Sequence, residues 1–142
     1  MRRAYLLIDH GSRRAEANAG LERAAESLRR RVEETVLVAH LELEPPDLGA
    51  GIDACAAAGA EEIVVLPYFL APGRHTARDI PEQVRAAATR HPKLAIRIAD
   101  PLGPHEKLVD VLLERAERAL PCATDQRAPA APRSKPGPGP RS

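Results

Sequence analysis

Two histidines occupy positions from which their side chains could do chemistry together. His10 follows the apolar run 6–8, and His75 follows the apolar run 63–66 after a longer connection. Each lies in a glycine-containing turn where the chain leaves a predicted buried strand. Neutral imidazoles placed in this way can hold one divalent ion, such as Co²⁺, Ni²⁺, Fe²⁺ or Zn²⁺, or can transfer a proton. The spacing alone is equally compatible with two unrelated surface histidines.

Acidic and basic side chains lie near both histidines. Glu42 and Glu44 close the second predicted strand, and their equal parity predicts that both point to one side of it. Either glutamate could complete a metal site or accept a proton, although a solvated role is the alternative for both, and a structural or surface role is expected for His40. Arginines bind carboxylates bidentately, so the predicted loops favour an acidic small molecule. These loop arginines are Arg13, Arg14, Arg74 and Arg78.

Strand and helix patterns alternate along the first 120 residues. Apolar runs predict strands at 4–8, 35–43, 63–66 and 94–98. Helical periodicity lies between these strands and after the last one, with Asp47 and Asp79 as the expected N-terminal residues of the second and third helices. Pro81 is then expected in the first turn of the third helix, where proline is tolerated. The order predicts a flavodoxin-like, three-layer α/β sandwich around a four-stranded parallel sheet of order 2-1-3-4.

That topology predicts where a ligand binds. Open α/β sheets bind ligands beyond the carboxyl ends of the strands, where the strand order reverses. His10 and His75 follow the first and third strands, which are neighbours in a 2-1-3-4 sheet. We therefore expect the two imidazoles to share one cleft.

Composition excludes several functional classes. Aromatic residues make up only 2% of the chain, which argues against base stacking on a single-stranded nucleic acid. Residues 121–142 contain four of the 21 basic and one of the 20 acidic residues, so positions 1–120 carry a net charge of −2. No phosphate-binding glycine motif for ATP or a dinucleotide occurs, although the Gly11-Ser12 turn could still bind a phosphate ester as an anion nest.

Domain organisation and compartment are also predicted. We expect one domain over residues 1–120 and a disordered, proline-rich tail over 121–142, where six residues are proline. Cys55 and Cys122 have no CxxC spacing, and Cys55 is expected to be buried in a helix, a usage typical of a cytoplasmic protein. The sequence predicts neither a secretory signal nor a membrane span.

The motifs together resemble the small sirohydrochlorin chelatases of the CbiX type, over about residues 4–120. The matching segments are His10-Gly11-Ser12-Arg13, Leu41-Glu42-Leu43 with Pro46, Leu66-Pro67-Tyr68-Phe69-Leu70, Gly73-Arg74-His75, Asp79-Ile80-Pro81 and Asp100-Pro101-Leu102-Gly103. One departure is His40, which stands where relatives tend to have an aromatic residue.

The resemblance implies ATP-independent insertion of a divalent metal into sirohydrochlorin or a related tetrapyrrole, for cobalamin or sirohaem synthesis. The metal is a substrate, with cobalt expected before iron or nickel. His10 and His75 would bind the metal, and Glu42 would assist. Contacts with the tetrapyrrole are expected from Ser12, Arg13, Arg74 and Leu70. The resemblance also implies a homodimer, and the alternative function is a non-catalytic metal or tetrapyrrole carrier of the same fold.

Overall fold

The structure is a computed structural model that describes residues 2–71 and 73–120. Four strands alternate with four helices along these residues, as the sequence predicts. They are β1 (Arg3–Asp9), α1 (Ala15–Arg29), β2 (Thr35–His40), α2 (Leu48–Ala57), β3 (Glu62–Pro67), α3 (Arg74–Ala88), β4 (Ala95–Ile98) and α4 (Glu106–Ala119).

The strands form one parallel sheet in the order β2-β1-β3-β4, which confirms the predicted topology. In the register of the sheet, Asp9 pairs with His40 on β2, and Ile8 pairs with Pro67 on β3. The carboxyl ends of β2, β1 and β3 therefore lie side by side. The residues that follow these three strands start from the same edge of the sheet.

The central strands are apolar on both faces because helices cover both faces. On one face, Leu6 and Val65 are buried with residues of α2 and α3, and on the other face Leu7 is buried with Leu21 of α1. Gly51 lets α2 approach the sheet closely, since a Cβ atom there would lie 2.9 Å from the Cβ of Ala39. Cys55 is buried in α2, as predicted, and burial raises the pKa of its thiol to about 11.

Ion pairs tie the elements together at the opposite, amino-terminal end of the sheet. Glu62 is buried on β3, and each of its carboxylate oxygens accepts a 2.7 Å hydrogen bond, one from Arg3 and one from Arg97. These two guanidinium groups, with Arg97 the stronger influence, lower the pKa of Glu62. They bind it from the two neighbouring strands, β1 and β4, so the pair of contacts bridges three strands.

A second ionic cluster joins α2 to the end of α3. The Asp53 carboxylate lies 2.7 Å from Nε2 of His91 and accepts hydrogen bonds from the Arg90 guanidinium. The hydrogen bond from His91, followed by that from Arg90, lowers the pKa of Asp53. This Asp–His contact has no part in the edge of the sheet described above.

The chain divides into two compact units after Pro104. In the second unit, α4 begins after His105, whose Nδ1 accepts a hydrogen bond from the Lys107 N–H. None of the residues of α4 is buried, and Leu112 is 67% exposed. The single domain over 1–120 stays a prediction, and the predicted tail and Cys122 lie outside the described residues. Within residues 2–71 and 73–120, no helix is long and apolar enough to cross a membrane.

Two predicted boundaries are wrong. β2 ends at His40 rather than at residue 43, because the following loop turns through Leu43, which adopts a φ of 70°. The strand alternation therefore does not reach Glu44, and the parity argument for Glu42 and Glu44 fails. The third helix begins at Arg74 rather than at Asp79, which leaves Pro81 inside it.

The early start of α3 has a local explanation. Thr76 is buried, and its hydroxyl donates a 3.1 Å hydrogen bond to the carbonyl of Gly73. Ile80, Val84 and Ala87 then continue the buried face of the same helix. Packing along this face outweighs the backbone hydrogen bond that a proline inside a helix cannot donate. As a result, Arg74 and His75 belong to the first turn of a helix and not to a loop.

Candidate active site

His10 lies directly after β1 at the carboxyl edge of the sheet, and its side chain is exposed. Its imidazole stacks on the ring of Phe69, with centroids 4.7 Å apart and an angle of 28° between the planes. Phe69 follows β3, and the preceding Tyr68 N–H donates a hydrogen bond to the carbonyl of Ile8. The end of β3 thus supplies a ring that orients the histidine at the end of β1.

Glu42 is joined to His10 by a hydrogen bond between the two backbones. Although β2 ends at His40, the Leu41 N–H donates to the carbonyl of Asp9 and the Glu42 N–H donates to the carbonyl of His10, at 2.9 and 3.1 Å. Gly11 adopts a φ of +90°, and a Cβ atom there would lie only 1.8 Å from the carbonyl oxygen of Glu42. Glycine at this position therefore allows the two site residues to lie on adjacent backbones.

Ser12 and Asn18 close the turn between β1 and α1. The Asn18 side chain accepts a hydrogen bond from the Ser12 N–H and donates one to the Ser12 carbonyl, at 3.0 and 2.7 Å. The Ser12 hydroxyl accepts a hydrogen bond from the Arg14 N–H. Because the Ser12 N–H already donates to Asn18, an anion nest at Gly11-Ser12 would lack one of its donors. Arg13, predicted to meet the substrate, is exposed in this turn.

The loop after β2 borders an open pocket of about 460 Å³. Glu42 and Glu44 both line this pocket and both are exposed. The loop returns to the strand where the His40 N–H donates to the carbonyl of Pro46, and Asp47 then caps α2 by accepting a hydrogen bond from the Ala50 N–H, as predicted. Glu42, but not Glu44, is joined to His10 by a backbone hydrogen bond.

His75 lies in the first turn of α3, after the connection that leaves β3. The described part of the chain includes the backbone of His75 but not its side chain, so the shared metal site of His10 and His75 stays a prediction. Arg74 is the exposed first residue of the helix. Leu70, from which a contact with the tetrapyrrole is expected, is 63% exposed.

A buried pair of polar side chains lies beside these residues. Nδ1 of His40 is 2.6 Å from Oδ1 of Asp9, and the His40 side chain is only 6% exposed. Because an ionised carboxylate can only accept hydrogen bonds, Nδ1 carries the proton in this contact. Asp9 and Phe69 were not identified as site residues from the sequence, and His40 was expected to be structural. The available signals were that Asp9 directly follows a predicted strand and that Phe69 lies in the connection after another, whereas His40 was placed inside a predicted strand.

Taken by itself, this edge can hold and release a ligand. It presents the accessible, ring-stacked imidazole of His10, the exposed Glu42 side chain on the adjacent loop, and the guanidinium groups of Arg13 in the β1–α1 turn and Arg74 at the start of α3. Among the side chains that the structure describes, no three His, Cys, Asp or Glu groups form a metal-binding cluster. Such an open arrangement contrasts with the closed four-ligand geometry of structural zinc sites.

The sheet order and the histidine-bearing strand end define a chelatase-like α/β domain. The CbiX family model matches residues 4–119, and the chain belongs to this family. It is 37% identical over 116 residues to the chloroplastic sirohydrochlorin ferrochelatase of Arabidopsis thaliana, covering 81% of this chain and 52% of the relative. It is 36% identical to the sirohydrochlorin cobaltochelatase of Sulfolobus acidocaldarius, covering 81% of this chain and 90% of the relative.

A solved structure supports the same assignment. The sirohydrochlorin chelatase SirB from Bacillus subtilis subspecies spizizenii, in complex with cobalt, matches with a TM-score of 0.77 and 32% identity. The match covers 84% of this chain and 51% of SirB. The chain therefore spans about half the length of SirB and of the plant relative, and nine-tenths of the archaeal one.

Proposed function

We propose that this protein is an ATP-independent metallochelatase that inserts a divalent ion into sirohydrochlorin. The observation that carries the proposal is the exposed His10 imidazole, stacked on Phe69 and joined through its backbone to Glu42. The relatives that share this fold are named for iron and cobalt insertion. Co²⁺ and Fe²⁺ are the expected substrates, and Ni²⁺ is a third candidate because imidazole and carboxylate ligands also suit it.

Each site residue has a role in this proposal. Metal insertion exchanges two pyrrole N–H protons for one M²⁺ ion. His10 and His75 would deliver the ion and accept these protons, a task that suits a base with a pKa near the operating pH. Such general-base catalysis typically increases the reaction rate ~10²–10⁴-fold. Glu42 would remove the protons or complete the coordination. Two imidazoles and one carboxylate leave positions open on the ion, so that the tetrapyrrole nitrogens can replace the protein ligands.

The periphery of the site would bind the tetrapyrrole. Arg13 is exposed in the β1–α1 turn and Arg74 is exposed at the first residue of α3, and their guanidinium groups suit the carboxylates of the macrocycle. The exposed side chain of Leu70 would contact the ring face. Ser12 would contribute through its hydroxyl, because its N–H is engaged by Asn18.

Anaerobic insertion into sirohydrochlorin tests the function. We expect the absorbance change of the metallated product over many turnovers with Co²⁺ or Fe²⁺, and its loss in His10→Ala and in His75→Ala without a change in far-UV circular dichroism. Equal rates in the variants and the wild type would refute the assignment. Binding of metal or sirohydrochlorin without turnover would instead support a non-catalytic carrier.

A second copy of the chain is the proposed partner. The match covers about half of the plant ferrochelatase, and α4 exposes a series of apolar side chains. Its exposed apolar residues include Val109, Val111, Leu112 and Leu113. We expect light scattering to give twice the 15.3 kDa chain mass, and Leu112→Glu to reduce the measured mass to that of a single chain. A wild-type mass of one chain would exclude the dimer.

A further inference from the structure

The Asp9 and His40 side chains lie where removing polar groups from water costs folding free energy. The side chains are 18% and 6% exposed, and their Cα atoms are register partners at the last position of the β1–β2 ladder. Polar groups are buried in this way only when they are hydrogen-bonded. Neither group has a role in metal delivery as proposed above.

The backbone connects this pair directly to the site. Asp9 immediately precedes His10, and His40 lies two residues before Glu42. Beyond the pair, the ladder continues with the Leu41 N–H to the Asp9 carbonyl and the Glu42 N–H to the His10 carbonyl. The His40 N–H donates to the carbonyl of Pro46, where the loop that carries Glu42 returns. The side-chain hydrogen bond thus joins the two strand ends at the point where both site segments leave the sheet.

We propose that Asp9 and His40 are positioning residues for metal binding: their hydrogen bond holds His10 and Glu42 at a fixed separation. The inference rests on the proposed function, because it assigns the pair to the metal half of that reaction. If one partner is removed, the other is left buried without its hydrogen bond. The strand ends then separate to let it reach water, and the His10–Glu42 backbone hydrogen bond opens with them.

The test uses two substitutions of similar size. His40→Leu removes the ring nitrogens, whereas His40→Asn retains an N–H donor near the position of Nδ1. His91→Leu is the matched control, because it breaks a second Asp–His contact, of 2.7 Å, to Asp53 on α2. Two quantities are measured for each variant: the KM for Co²⁺ and for sirohydrochlorin under anaerobic turnover, and Co²⁺ affinity without tetrapyrrole from the visible absorption of the bound ion.

We expect His40→Leu to raise the KM for Co²⁺ ~10-fold, at the lower end of the effects of removing groups that support metal ligands. The KM for sirohydrochlorin should stay within about twofold, and Co²⁺ affinity without tetrapyrrole should fall by the same ~10-fold. His40→Asn should recover most of both losses, and His91→Leu should match the wild type in both. This pattern separates a positioning role from a general loss of stability.

Two results would overturn this inference and leave the proposed function intact. One is an unchanged KM for Co²⁺ in His40→Leu. The other is a parallel increase of both KM values that His40→Asn does not correct, which would make the pair merely structural. If the wild-type protein neither binds Co²⁺ nor metallates sirohydrochlorin, the proposed function fails, and the inference fails with it.

Discussion

Replacing Gly11 by alanine tests the geometry that brings His10 and Glu42 together. The residue has a φ of +90°, where a side chain costs about 1–2 kcal/mol. Its Cβ atom would also lie 1.8 Å from the carbonyl oxygen of Glu42, so the Glu42 loop has to move. That movement breaks the hydrogen bond from the Glu42 N–H to the His10 carbonyl, a further loss of about 1 kcal/mol. We expect Gly11→Ala to lower the free energy of unfolding by about 2–3 kcal/mol.

The chain provides a matched control for this substitution. Gly20 lies inside α1, and a Cβ atom there would meet nothing closer than the Arg23 guanidinium, at 3.8 Å. Gly20→Ala should therefore stabilise the protein by up to about 1 kcal/mol, because alanine favours the helix. The two Gly→Ala variants are predicted to shift stability in opposite directions.

Urea unfolding followed by far-UV circular dichroism measures both variants, and the insertion assay reports on the site. A shift of about 2–3 kcal/mol corresponds to a melting temperature lower by roughly 10 °C in a unit of this size. We also expect Gly11→Ala to lose most of its metal insertion, because His10 and Glu42 no longer lie on adjacent backbones. If Gly11→Ala unfolds at the same urea concentration as Gly20→Ala, the reasoning about this close approach is wrong.

Three further predictions concern other parts of the molecule. Phe69→Leu removes the ring that stacks on His10 and should raise the KM for Co²⁺ roughly 3–10-fold, while an unchanged KM would exclude this orienting role. In a Cys122→Ser background, the thiol of Cys55 should react with Ellman's reagent only after unfolding, because burial raises its pKa to about 11; rapid labelling of the native protein would contradict this. Asp53 has a lowered pKa in the folded state, so its contribution to stability is complete above its ordinary value of 3.8 and is lost as the pH falls below it. Asp53→Asn should therefore be less stable than the wild type at pH 7, and the difference in unfolding free energy should vanish at lower pH. A difference independent of pH would show that the ionised Asp53 carboxylate does not stabilise the fold.

Local patterns account for the elements that the sequence predicted correctly. Apolar runs identified all four strands, and the runs of the two central strands are nearly continuous because helices cover both faces of the sheet there. Asp47 was recognisable as a helix cap because its side chain acts on a backbone N–H only three residues away. The sheet order followed from the alternation of strands and helices, since few right-handed parallel arrangements are available. These features depend on neighbours in sequence or on general rules of topology.

The errors fall at the ends of elements. Asp79 suggested the start of the third helix, but α3 begins at Arg74, close to the hydrogen bond that the Thr76 hydroxyl donates to the carbonyl of Gly73. Alternation suggested that β2 runs to residue 43, but the chain turns at Leu43, so Glu42 is held through the His10 carbonyl instead. Neither the Thr76 hydrogen bond nor the turn at Leu43 follows from the apolar patterns and the capping residue on which these two boundaries were predicted.

The sequence by itself predicted the edge of the sheet at which chemistry is expected, from two histidines after neighbouring strands with an acidic residue nearby. Only the tertiary structure decided which groups support His10. Phe69, Asp9 and His40 lie on different strand ends, and their contacts with the site depend on the register of the sheet. Register is fixed by packing over the whole sheet, because a shift of one residue would exchange the side chains packed on α1 for those packed on α2 and α3. For that reason, the residues that could bind a metal were legible in the sequence, whereas those that position them were not.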